Sequence, residues 1–437
     1  MKIGYIGLGA MGGALARRLL QSHPLQVWDL QPAAIERFVQ LGAKAAASPA
    51  DLVRDCDFIM TCLPRSSNVH ELLFGAGRGA DGLSSGKILI DQTSGDPSET
   101  AKIASRLAAN GVVMLDAPVS GGQRGAEAGT IAIMVAGPQH AYDRALPVLN
   151  AISSNVDYCG QRTGDAHAMK VVNNTMSASS RLATLEVVAM GRKMGLSLTA
   201  ITEAINSGEG SNRTSTVSLP ALLEGRSPVG EFALALLVKD LNLGTDLGMK
   251  CGVPMMIANV VRSYHEVALN LLGPAAQLKQ LFDVVEKMAG TCFVVESEEA
   301  RTVRQHADSE AAKLVSRTVA ACNLLITYEC AALAAKFGLP LDLMAKIFLQ
   351  GGAWNRAAER VLPVLSSGKP TSDLQLGALV SELKVASEMA KSCGAPMTVG
   401  HLVRGLVETS INQVGGDVST DALSRLFETM AGVRFVA

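Results

Sequence analysis

The spacing of hydrophobic and polar positions changes character about a third of the way along the chain. Before residue 164, short apolar runs alternate with stretches of helical spacing. KIGYIGLG breaks into glycines, and residues 11–21 (MGGALARRLLQ) then repeat at a helical interval. LQVWDL is followed by IERFVQLGA. CDFIMTCLP, GKILIDQTS and GVVMLDAPVS read as further strands, with the helical ETAKIASRLAANG between the last two, and TIAIMVAG closes the series. Strands that alternate with helices are joined by crossovers, so this region is expected to form an α/β Rossmann domain with a doubly wound, mostly parallel sheet.

After Gly164 the strand signal stops. DAHAMKVVNNTMSASSRLATLEVVAMGRKMG is of helix length, starts after Thr163-Gly164 and stops at Gly195, as capping requires. The helical remainder repeats itself. At a shift of 143 residues, Lys170 aligns with Lys313, Glu186 with Glu329, Lys193 with Lys336, and Asn212-Arg213 with Asn355-Arg356. One deletion changes the shift to 142, where Cys251-Gly252 meets Cys393-Gly394 and Met288-Ala289-Gly290 meets Met430-Ala431-Gly432. The pattern predicts two tandem all-α domains after the Rossmann domain, with boundaries 1–163, 164–296 and 297–437 and the charged stretch ESEEARTVRQHADSE as the joint.

Composition agrees with three packed cores. The chain has 437 residues, 48% hydrophobic and 18% charged, against about 150 residues per domain. Lys+Arg 39 against Asp+Glu 40 leaves a net charge of -1. That balance argues against a nucleic-acid binder and offers no polybasic membrane signal. No apolar run is read as approaching a membrane span, and the start lacks the form of a signal peptide. The expectation is a cytoplasmic protein with no membrane partner. Eight Cys without a CxxC pair suggest reduced thiols and no metal framework.

The candidate chemistry begins with Gly7-Leu8-Gly9-Ala10-Met11-Gly12, a GxGxxG directly after a strand and opening a helix. Its glycines allow a tight turn, close approach of backbone to a pyrophosphate, and close helix–strand packing, with a helix N-terminus facing the phosphates. Asp29 ends the second strand, 22 residues beyond Gly7. A carboxylate there accepts bonds from both ribose hydroxyls and repels a 2′-phosphate, and no Arg stands at 30 or 31. The expected cofactor is therefore NAD, with NADP disfavoured.

These residues, with three motifs that follow in order, resemble the β-hydroxyacid dehydrogenases, the 3-hydroxyisobutyrate dehydrogenase group. Gly7 to Gly13 is similar to the family's N-terminal signature. Asp116-Ala117-Pro118-Val119-Ser120-Gly121-Gly122 is similar to its substrate-binding segment, Gly164 through Lys170 to Asn173-Asn174 to its catalytic helix, and Phe232 to Lys239-Asp240-Leu241 to its later Lys-Asp motif. The resemblance covers about residues 1–295. It implies that Ser120, Gly121 and Gly122 hold a substrate carboxylate, that Lys170 is the acid/base, and that Asn174 assists beside Asn173. It also implies that Lys239 lies near nicotinamide and substrate, and that Leu63, Pro64, Thr93 and Ser94 line the cofactor. One departure is Ala166, where the family's helix start carries Gly.

The residue chemistry suits these roles. Oxidising an alcohol by hydride transfer requires removal of the hydroxyl proton, which a Lys performs if burial and nearby positive charge lower its pKa. Asn174 stands at i+4 from Lys170, on the same helix face. Bare glycine amides and a Ser hydroxyl form an anion nest. The expected activity is NAD-linked interconversion of a small β-hydroxyacid and its 3-oxo acid or semialdehyde. In the repeat, Asn174 becomes Arg317 and Lys239 becomes Ser381. The second helical domain is thus expected to be a degenerate copy that replaces a partner's domain within one chain, with room for a homodimer besides.

Three other readings stand beside this one. A 6-phosphogluconate dehydrogenase-like oxidative decarboxylase would carry Lys-x-x-His-Asn on its catalytic helix, where this chain has Asn173. An imine reductase shares the architecture without a Lys at this position. A non-catalytic dinucleotide-sensing scaffold would have no need for Lys170, Asn174 and Lys239 together.

Overall fold

A computed structural model gives the fold for residues 1–76, 78–294 and 309–436. The chain divides into two compact units, Met1–Val171 and Val172–Ala437. The expected joint between the two helical domains, at 296/297, lies outside the described residues.

The first unit is built on one sheet. Its strands are β1 (Ile3–Ile6), β2 (Leu25–Trp28), β3 (Lys44–Ala45), β4 (Phe58–Thr61), β5 (Ile88–Asp91), β6 (Val113–Asp116), β7 (Val119–Ser120), β8 (Ala132–Ala136) and β9 (Val156–Gly160), in the order β3-β2-β1-β4-β5-β6-β8-β7 with β9 on β8. Strands β3 through β6 pair in parallel; β8 runs antiparallel to β6 and β7 and parallel to β9. The helices are α1 (Ala10–Leu20), α2 (Pro32–Gln40), α3 (Pro49–Asp55), α4 (Ser66–Phe74), α5 (Pro97–Ala108), α6 (Gly122–Ala128) and α7 (Gln139–Ile152).

All four residues of β1, β4 and β5 are buried, because helices cover both faces of a doubly wound sheet. Ile3 and Tyr5 pack with Leu15 and Leu149 on one face, Ile6 with Leu52 and Leu107 on the other. Local chemistry sets the helix starts. Asp96 caps α5 by accepting the amides of Ser98 and Glu99, with Pro97 in the first turn; Ser48 caps α3 in the same way. TIAIMVAG does not close the series, since β9 follows it. In VDYCG only alternate positions are buried, so that strand has no continuous apolar run to announce it.

The second unit is helical. A long helix α8 (Asp165–Lys193) crosses from one unit into the other. It is followed by α9 (Leu198–Ser207), α10 (Leu219–Leu223), α11 (Leu234–Cys251), α12 (Met256–Leu272) and α13 (Gln280–Ala289). The order then recurs: α14 (Glu310–Phe337), α15 (Leu341–Gln350), α16 (Arg356–Val361), α17 (Leu376–Cys393), α18 (Thr398–Val414) and α19 (Leu423–Ala431). The bounds of α9, α11 and α12 recur in α15, α17 and α18 at the shifts read from the sequence.

The two runs are interlocked about an approximate two-fold axis. Asn212 pairs with Asn355, its own counterpart, in an antiparallel bridge. Glu186 of α8 accepts the Val399 amide at the start of α18 (2.9 Å). Glu329 of α14 accepts the amides of Ile257 and Ala258 at the start of α12 (2.8 and 2.9 Å). Helix α14 corrects the expectation about apolar runs: it is long and apolar enough to cross a membrane, and 89% of its most apolar stretch is buried inside the unit. Its apolarity answers to neighbours on all sides.

Candidate active site

The glycine loop has the shape its spacing foretells. Gly7 ends the turn after β1 with φ +95°, and a Cβ there would collide with the Cys62 carbonyl oxygen. A Cβ on Gly12 would collide with the Gly7 carbonyl oxygen, whereas one on Gly9 would meet nothing within 4 Å among the described residues. Two glycines are therefore consumed by packing, and Gly9, with the exposed Ala10, leaves the start of α1 open to a ligand. Met11 packs half-buried against the core beneath.

The other expected cofactor residues of the first unit gather at the same edge of the sheet, whereas Lys239 lies on α11. Asp29 stands just past β2; one carboxylate oxygen accepts the Leu8 amide (2.6 Å) and the other the Gln31 amide (2.8 Å). The Asp thus braces the glycine loop, a role the sequence reading did not foresee. Each carboxylate oxygen retains a second acceptor site. Leu63 donates its amide to the hydroxyl of buried Thr93 (3.0 Å), so the loops after β4 and β5 are tied together. Pro64 is exposed and Ser94 half-buried. The loops fit a dinucleotide: an open helix start, a bare Gly9 and a carboxylate at the end of β2.

Ser120 ends β7 and Gly121 precedes α6, with φ +138°. Gly121 and Gly122 are exposed, and a Cβ on Gly122 would meet nothing within 4 Å among the described residues. The expected loop is therefore a strand end and a helix start, with bare amides available to an anion.

Asp116, at the end of β6, fixes the start of α8. Its carboxylate accepts the amides of Gly164 and His167, both at 2.8 Å. His167 Nδ1 lies 2.8 Å from the Thr100 hydroxyl. Burial pushes the Asp116 carboxyl up, against the opposing effect of His167 and the two amides. Lys170 follows His167 by three residues and is buried. Ala166, where the family carries Gly, is the second helical residue and fully buried.

One turn beyond Lys170, α8 meets α11. A Cβ on Gly244 would collide with the Thr175 hydroxyl, so this glycine lets the two helices approach closely. The contact brings Asp240 to Asn174: Asn174 Nδ2 donates to Asp240 Oδ2 at 2.7 Å, and Lys239 Nζ lies 2.8 Å from Asp240 Oδ1. Asn173 Nδ2 donates to Asn174 Oδ1 at 3.2 Å. A carboxylate can only accept, so the Asn174 amide is oriented with its nitrogen towards Asp240. Lys239 and Asp240 are 6% and 3% exposed, which excludes an ordinary solvated pair. Asp240 and Asp116 position the candidate site, and the sequence reading assigned neither a role. Both stand inside quoted motifs, and their signal was an acid beside a chemically assigned neighbour.

At the counterpart positions the chemistry is different. Arg317 pairs with Glu382 (3.2 Å) where Asn174 meets Asp240, Ser381 replaces Lys239, and Lys313 reaches Glu310 (3.1 Å). The Lys313 side chain is 48% exposed. The buried polar cluster has become a solvated charge network.

A dinucleotide-binding α/β unit followed by helices that carry buried Lys170 and Asn173 with half-buried Asn174 defines the class of nicotinamide-dependent dehydrogenases with a helical second part. The chain belongs to the β-hydroxyacid dehydrogenase family, in the 3-hydroxyisobutyrate dehydrogenase group. Residues 2–160 match the family described as the NAD binding domain of 6-phosphogluconate dehydrogenase. The family described as NAD-binding of NADP-dependent 3-hydroxyisobutyrate dehydrogenase matches twice, over residues 164–285 and 307–427. Mitochondrial 3-hydroxyisobutyrate dehydrogenase of Rattus norvegicus is 32% identical over 272 residues, 61% of this chain and 81% of that protein. The 2-(hydroxymethyl)glutarate dehydrogenase of Eubacterium barkeri is 31% identical over 291 residues, 66% of this chain and 96% of its own. Among solved structures, the Mycobacterium tuberculosis 3-hydroxyisobutyrate dehydrogenase with L-serine has a TM-score of 0.60 at 24% identity, covering 65% of this chain and 98% of that one.

Proposed function

We propose that this chain is an NAD-preferring oxidoreductase that transfers hydride between nicotinamide and a small β-hydroxyacid, with Lys170 as general acid/base. The observation that carries the reading is the set on α8, where buried Lys170 is followed one turn later by half-buried Asn174, itself oriented by Asp240. Gly7, Gly9 and Gly12 with Asp29, Leu63 and Thr93 would hold the dinucleotide, which supplies the hydride acceptor or donor when bound. Ser120, Gly121 and Gly122 would take the substrate carboxylate through a hydroxyl and bare amides. In oxidation, the Lys170 amine removes the hydroxyl proton as the C–H hydride departs; in reduction it returns that proton to the carbonyl oxygen. Asn174 aligns the substrate oxygen without exchanging a proton, and Lys239 adds positive charge beside it.

The NAD preference rests on Asp29, whose carboxylate repels a 2′-phosphate. The second helical domain, assigned residues 297–437 from the sequence repeat, is a duplicate of the 164–296 domain that has lost its own chemistry. Support comes from the Arg317–Glu382 and Lys313–Glu310 pairs, which occupy the counterpart positions.

The test is reduction of NAD by a panel of 3-hydroxy carboxylic acids, wild type against Lys170→Ala. The expected result is turnover with at least one acid, lost in the variant with NADH binding retained. A rate unchanged in Lys170→Ala would overturn the acid/base role, and a twofold or greater preference for NADP would overturn that of Asp29. Release of carbon dioxide from a sugar-acid phosphate would favour the oxidative decarboxylase instead, although Asn173 stands where that family's helix carries His.

A further inference from the structure

The duplicate does more than fill a partner's place: one of its loops lies against the catalytic helix. Residues 351–355 join α15 to α16 and are anchored on the first run. Arg213 donates its amide to the Trp354 carbonyl (3.2 Å), and Arg356 donates its own to the Ser211 carbonyl (2.8 Å). This places Gly351 and Gly352 over α8. A Cβ on Gly351 would stand 3.5 Å from Asn173 Oδ1, and one on Gly352 3.4 Å from Ser177 Oγ. Ser177 is at i+7 from Lys170 and i+3 from Asn174, so Lys170, Asn174 and Ser177 form one stripe on the helix. At its far end the stripe meets the two residues of that loop that have no side chain, Gly351 and Gly352.

The approximate two-fold supplies an internal comparison. The reciprocal loop of the first run seats Gly208 against Ser316, the counterpart of Asn173, with a Cβ 2.5 Å from its hydroxyl. The next residue there is Glu209, at the position equivalent to Gly352. The seat therefore tolerates a Glu, and Glu209 turns to solvent and Arg360 (3.9 Å) on the side where the polar cluster has been lost. Only the loop that faces the Lys170 stripe is without that carboxylate. A negative charge at 352 would stand beside Ser177, one turn from Asn174, and would oppose an anionic substrate.

We infer that the Gly351–Gly352 loop of the duplicate is the far wall of the substrate pocket, and that the bare Gly352 determines acceptance of a carboxylate-bearing substrate. This rests on the hydroxyacid reading above. The test is Gly352→Glu, which copies a residue the equivalent loop already carries, assayed with 3-hydroxyisobutyrate and with the dicarboxylic 2-(hydroxymethyl)glutarate. KM is expected to rise roughly tenfold for the first, as expected for like charges at partial burial, and more for the second. The kcat and the NADH dissociation constant should stay within about twofold. The neutral Gly352→Gln should hold KM within about threefold, and Glu209→Gly should change nothing. An unchanged KM in Gly352→Glu, equal losses in the Glu and Gln variants, or an equal effect of Glu209→Gly would each overturn the inference while wild-type activity stands. Wild-type protein inactive on every hydroxy acid would instead remove the substrate reading, and this inference with it.

Discussion

Glu186 and Glu329 hold the two runs of helices together by exchange: each carboxylate receives the first amides of a helix belonging to the other run. Both are buried, and burial outweighs the backbone hydrogen bonds, so each carboxyl is pushed up to about 7. A folded-state value raised above the unfolded one favours the protonated form. The stability these groups contribute is complete below about pH 4.5 and is lost as pH rises through about 7, by up to roughly 3 kcal/mol for each. Urea unfolding between pH 5 and 8.5 should show that decline, and the Glu186→Gln/Glu329→Gln double variant should flatten it. A double variant that kept the full slope would refute this assignment.

Asp240 orients both Asn174 and Lys239. In Asp240→Asn the amide of Asn174 loses its anionic partner and Lys239 its counter-charge. Turnover is expected to fall about 100-fold, the order of loss seen when a positioned group shifts by about an ångström. NADH binding should be retained. Steady-state kinetics with fluorescence titration of NADH separates the two, and a proportional loss of both would point to general disruption.

Lys313→Ala is expected to leave turnover within about twofold and stability within about 0.5 kcal/mol, as for an exposed residue in a surface ion pair. Loss of activity at unchanged stability would make the duplicate a second catalytic centre.

The glycines of the nucleotide loop should separate by role. Gly9→Ala adds a methyl group in open space, so the melting temperature should hold while NADH affinity falls. Gly12→Ala drives a methyl group into the Gly7 carbonyl and should cost on the order of 3 kcal/mol of stability. Paired thermal unfolding and NADH titration check both.

The sequence was readable where function leaves repeated or regularly spaced residues. The GxGxxG pattern located the turn and open helix start, and identities such as Glu186 with Glu329 and Asn212 with Asn355 located the repeat. Their purpose was not readable. Glu186 meets a backbone amide 213 residues away, and an amide has no residue type to announce it. Asp116 and Asp240 were hidden for the same reason: one binds amides, the other a neighbour across a helix pair. Strand β9 escaped because its buried positions are Asp157 and Cys159, so no alternation of apolar and polar residues marks it. Helix α14 shows the converse, with a membrane-like composition that only its buried setting explains.

The bridge between Asn212 and Asn355 joins two equivalent positions encoded separately. In a symmetric dimer every substitution near the axis is made twice, so a change that helps on one side must be endured on the other. Here each side can be altered alone. A residue such as Gly352 can be fitted to a substrate while Glu209 is fitted to water, a freedom closed to any assembly of identical subunits.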